Sequence, residues 1–84
     1  MNISERIEEL EYTLRLVNRG HDSPRVSYDA IPSYLKTGAA GLRREGFVYP
    51  ADLLLWASRE FRNSRAQAAG IITGALEYMR QQKA

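Results

Sequence analysis

Apolar residues near the start of the chain recur at alternating steps of four and three: Ile3, Ile7, Leu10, Leu14 and Val17. That spacing lines one side of a helix and predicts helix over residues 3–19. Asn2 can cap its start, and Glu5 three residues on completes a capping-box pattern. Gly20 offers a left-handed stop after Arg19. Residues 21–30 lose the period. Asp22, Ser23 and Pro24 are turn formers, and Val26 to Tyr28 is expected to be extended.

Pro32 disfavours helix at Ile31 and suits a first helical turn itself, so a second helix is expected from there to about Arg44, stopping at Gly46. Leu35, Ala39 and Leu42 form its apolar stripe. Gly38 and Gly41 each weaken it by about 1 kcal/mol relative to alanine, which leaves a break near Gly38 as an alternative. Phe47, Val48 and Tyr49 are expected to form a short extended link before Pro50, placed at a first helical position. Beyond it, Leu54, Ala57, Phe61, Ser64, Ala68, Ile71, Ala75 and Tyr78 keep one heptad stripe uninterrupted by proline. The preferred reading is a single helix of about 30 residues or more, ~45–50 Å long, continuous or kinked at Asn63–Ser64. The competing reading is a break there, because Ser64 and Gln67 also resemble a capping box. The expected fold class is all-α: a single domain over residues 1–84, with an N-terminal helix, a middle helix and a long C-terminal one.

Composition narrows the possible chemistry. The 84 residues are 44% hydrophobic and 26% charged, as suits a globular domain. A chain this short buries only about 60–65% of its unfolded surface, so a partner subunit would help it. There is no cysteine, which removes disulfides, thiolate metal sites and cysteine nucleophiles and favours a cytoplasmic setting. No apolar run approaches the ~18 residues of a membrane span. The net charge of +2 is divided unevenly. Residues 1–14 carry four glutamates against Arg6, a net of −3, so the remainder carries +5. Internal salt bridging between acidic and basic helices is the plain explanation.

No catalytic centre can be assembled. His21, the single histidine, lies beside Asp22 just past a helix end, where the helix dipole alone accounts for it. No serine has a nucleophile-elbow context, and the Gly38–Gly41 stretch lacks the lysine of a phosphate-binding loop. Neither metal nor cofactor is expected.

Candidate interaction residues are more numerous. Arg59, Arg62 and Arg65 follow at intervals of three, and Arg43 and Arg44 end the second helix. Together they could hold an anion or a carboxylate-bearing partner. Tyr28, Tyr34 and Tyr49 lie in or beside loops and, with arginine, belong to the types enriched at binding hot spots. Ala66, Gly70 and Gly74 recur every fourth residue and would let a second helix approach closely. Leu54, Phe61, Ala68, Gly70, Ile71, Gly74 and Tyr78 therefore form the expected oligomer seam, since the stripe is longer than the first two helices could cover.

The leading functional expectation is a non-enzymatic homo-oligomeric binding protein, an inhibitor or adaptor of the kind phages and other mobile elements carry. Its partners would be itself and another protein. A DNA-binding regulator is the first alternative. From Gly46 onward the chain resembles ribbon-helix-helix proteins in outline, with extended Phe47–Tyr49, then helix, turn and helix ending Ala75-Leu76-Glu77-Tyr78. The likeness covers less than half the chain and lacks the glycine-containing turn. The second alternative is a binder of a small anionic ligand such as a nucleotide, held by Arg59, Arg62, Arg65 and a stacking tyrosine.

Overall fold

Asn2 opens the chain's first helix, α1 (Ile3–Arg19), with a complete capping box. Its side-chain oxygen accepts from the Glu5 N–H at 2.9 Å, and the Glu5 carboxylate accepts from the Asn2 N–H at 3.3 Å. Gly20 closes the helix at φ 74°, and a β-carbon there would run into the Arg65 guanidinium as well as straining the backbone. The computed structural model describes residues 2–83. Among them lie four helices and no strand: α1, α2 (Ile31–Arg44), α3 (Val48–Glu60) and α4 (Arg65–Lys83).

The connection from α1 to α2 is not the extended segment expected at Val26–Tyr28. Tyr28–Ala30 form a 3₁₀ turn, set up by side chains upstream. The Asp22 carboxylate accepts the Tyr28 N–H at 2.6 Å, and the Ser23 hydroxyl accepts the Val26 N–H at 3.0 Å. Ile31 is fully helical despite preceding Pro32, because the turn already delivers it at φ −57°. Helix α2 runs unbroken through Gly38. It ends where Gly46, at φ 88°, lets the Phe47 N–H reach the Leu42 carbonyl and the Gly46 N–H reach that of Arg43. That is the Schellman arrangement, and it turns the chain within three residues.

Two further expectations need correction. Val48 and Tyr49 belong to α3, so Phe47 alone is the link and Pro50 sits in the third position of the helix. Proline is tolerated there because first-turn N–H groups have no partner inside the helix. The long C-terminal helix is two helices. Phe61–Asn63 form a turn, and the Ser64 hydroxyl then caps α4 by accepting the Gln67 N–H at 3.1 Å. One helix over 48–83 would be about 54 Å long, whereas the molecule measures only 32 × 24 × 20 Å. Helix α4 folds back along α3 instead, and the Tyr49 and Tyr78 rings meet 5.0 Å apart at its far end.

Helix α4 packs against α1 on one side and α3 on the other, while α2 packs on α3. The common core holds Leu10, Val17, Ile31, Leu35, Leu42, Leu54, Phe61, Ile72, Leu76 and Met79. The ring of helices closes loosely between α1 and α2. Every buried polar side chain described is satisfied: Thr13 donates to the Glu9 carbonyl at 2.8 Å and Ser58 to that of Leu55 at 2.6 Å. The accessible surface of 4956 Å² is close to the ~5100 Å² expected of a folded monomer of this mass.

Candidate partner-binding surfaces

The arginine series does not form one cluster. Arg59 ends α3, Arg62 lies in the turn, and Arg65 begins α4, so the break in the helix sends them different ways. Arg65 turns to the end of α1, with its guanidinium over Gly20 and a 3.5 Å contact to the Asn18 carbonyl, where a cation complements the exposed helix-end carbonyls. Arg62 lines a hollow of about 230 Å³ with Tyr28, Asp29, Pro32 and Phe61. The Tyr28 ring packs on Phe61 at 5.1 Å. Arg43 pairs with Asp52 of α3, and Arg44 stands on the rim of the seam between α1 and α2. Arg59 makes no ion pair among the described residues.

The expected oligomer seam is redistributed as well. Leu54, Phe61, Ala68 and Ile71 are buried within the single chain. The stripe looked too long because it belongs to two antiparallel helices that share a core. Gly70 and Gly74 stay outward, and a β-carbon at either would meet nothing within 4 Å. Tyr78 is half-buried against Tyr49.

What remains uncovered is an aromatic face on the α3–α4 hairpin. Among the described residues, Val48, Tyr49 and Trp56 are the exposed large hydrophobics, at 48%, 56% and 47%. Tyr49 and Trp56 are two helical turns apart and share a side of α3. The Tyr49–Tyr78 contact fixes that side next to α4, and Gly74 lies one turn below Tyr78. The face thus offers protruding rings beside a shallow hollow where side chains are missing. Trp56 was not among the sequence candidates; its place in a stripe with Val48 and Asp52, off the buried positions Leu54, Ala57 and Phe61, was the available signal.

Across the molecule, the loose α1–α2 seam is held by Arg6. Its guanidinium donates to both Glu45 oxygens, at 3.1 and 2.6 Å, and to Glu9 at 3.0 Å. The hydrogen bond to Glu45 raises the Arg6 pKa, and the same bond holds the Glu45 carboxyl below its ordinary value. Gly41 makes room for Arg6, since a β-carbon there would lie 2.9 Å from its Nη2. Further along, Tyr12 and Tyr34 meet edge to face at 6.3 Å. Burial first, and then the Glu9 charge, raise the Tyr34 phenol pKa.

The remaining candidates offer little chemistry. His21 Nδ1 faces the Asp22 carbonyl at 2.9 Å, while the Asp22 carboxylate is engaged by the Tyr28 backbone. Among the described residues, no group of three His, Asp or Glu side chains is placed to hold a metal ion. No described helix is long and apolar enough to cross a membrane. The strand implied by the ribbon-helix-helix likeness is replaced by the first turn of α3. Neither family models, curated proteins nor solved structures give a match to this chain.

Proposed function

We propose that this chain is a non-enzymatic, cytoplasmic binding protein that works as a homodimer, joined through the aromatic face of α3 and α4. The carrying observation is the exposure of Trp56 and Tyr49 beside the open positions Gly70 and Gly74. A two-fold interface presents the same patch on both sides, so that patch must contain projection and hollow together. This face contains both. The flanking charges are also mixed, with Asp52 and Glu77 against Arg43 and Arg59, which favours a second copy over a partner of single sign. A standard interface covers about 800 Å² per partner. That is roughly one side of this body, whose whole surface is 4956 Å².

Sedimentation equilibrium at micromolar concentration tests the proposal. A two-chain mass is expected. Trp56→Ala should shift it toward monomer, and Gly74→Leu should do the same by filling the hollow, where overpacking costs ~1–3 kcal/mol. Neither variant should lower the helical content. A clean mass near 9.6 kDa for the unmodified chain would overturn the dimer.

One observation favours small-anion capture as a second reading: Tyr28 and Arg62 share a hollow. Asp29 on the same rim opposes an anion, which ranks this reading lower. Weak, salt-steep binding to any duplex DNA would instead support the regulator.

A further inference from the structure

Two adjoining hollows, of about 360 and 180 Å³, run along the α1–α2 seam and share Glu9 and Tyr34 in their walls. Glu5, Glu8, Tyr12 and Arg25 line the larger one. Carboxylates alone would mark only a solvated face. Here they share a hollow with a pair of crossed rings, and the chain's own cations already use one of them, Tyr12. The Arg25 guanidinium sits 5.3 Å from the Tyr12 ring centre and that of Arg15 sits 5.8 Å away. Internal salt bridging explains only part of the acidic helix. Glu9 pairs with Arg6 and Glu11 with Arg80, but Glu8 has no ion pair among the described residues.

We infer that this groove binds an arginine-bearing segment of a partner protein, whose guanidinium takes the place of Arg25 over Tyr12. Stacking on the ring supplies attraction that survives in water. Glu8 and Glu9 then accept from the edge of the planar guanidinium, a geometry ammonium does not reproduce. Arg25 comes from the loop between α1 and α2, so it can leave without disturbing a helix. The smaller hollow, walled by Arg6, Thr37, Gly38, Gly41 and Arg44, takes the flanking backbone. The groove lies on the opposite seam of the four-helix ring from the aromatic face, and it does not depend on dimerisation.

The test is an amide-resolved NMR titration of the full chain with a blocked peptide of alternating glycine and arginine, against its lysine counterpart and free argininamide. The arginine peptide should bind most tightly and shift Tyr12, Tyr34 and Gly38. Arg25→Ala should tighten it about 2- to 5-fold by removing the nearer of the two internal competitors, and Tyr12→Leu should weaken it by a similar factor. Tyr12→Phe, which keeps the ring, should bind as the parent does. Glu8→Gln, at an exposed position, should weaken binding without altering the fold. Equal affinity for arginine and lysine peptides, with Arg25→Ala and Tyr12→Leu both silent, would reduce the groove to diffuse attraction and overturn the inference. So would argininamide matching the peptide, since a small-molecule site needs no segment.

Discussion

Arg6 carries more of the architecture than its place in the first acidic stretch suggests. It lies along Gly41, is nearly buried, and ties α1 to Glu45 at the end of α2. A carboxylate at a helix C-terminus is unfavourable by itself, because the helix-end carbonyls share its sign; the Arg6 fork offsets this. Since the pair holds the Glu45 carboxyl below 4.5, its stabilisation is complete above about pH 4.5 and is lost as pH falls through the lower folded value. Glu45→Gln should therefore lower the thermal midpoint at neutral pH, with the gap to the parent narrowing in acid. Melting curves from neutral pH to about pH 2.5 would show it; a gap of constant size would mean that the charge of Glu45 is irrelevant. Composition revealed that α1 was acidic, but not that its own Arg6 would carry the link to a glutamate of the facing helix. That depends on Gly41 being bare on the facing helix, thirty-five positions away in sequence.

At the level of elements, the sequence reading succeeded where a local signal was unopposed and failed where two signals competed. The capping box at Asn2, the stop at Gly20 and the stop at Gly46 each lie beside the end of an apolar stripe, and each marks a real boundary. At Ser64 the cap was visible too, but the heptad stripe ran straight through it. Phe61–Ser64 is one turn's worth of residues, so α4 resumes in nearly the same phase as α3. Both helices address one core, and periodicity alone cannot tell them from a single longer helix. Pro50 misled in the opposite direction, since a first turn admits proline at more than its first position. The cap gives a direct check: Ser64→Ala should cost about 1 kcal/mol, a fall in midpoint of about 4–8 °C for a domain this size. An unchanged midpoint would indicate that the turn is held by packing around Phe61 alone. The aromatic face was only half legible, because exposure of Trp56 follows from which side of α3 the hairpin buries.

For the molecule as a whole, α1 is a full structural member. Leu10 is 3% exposed within the common core. Leu10→Ala should cost roughly 2–5 kcal/mol, enough to threaten a domain of this size. Urea unfolding followed by circular dichroism would measure it, and an unaffected midpoint would recast α1 as an appended arm. Its attachment is nevertheless unlike that of the other helices. α2, α3 and α4 each pack on a neighbour in sequence, whereas α1 relies mainly on α4, the last element of the chain. On a ribosome adding ~5–20 residues per second, α1 would wait about 2–10 seconds for the chain between Arg19 and Arg65 to be made. Throughout that delay its apolar stripe has only the loose seam with α2 for cover within the chain, and nascent molecules on one message could pair through it. Four glutamates against Arg6 crowd its N-terminal turns, while Arg15 and Arg19 gather at the other end, so two such helices lying parallel set like charge against like, and that pairing is opposed until α4 arrives.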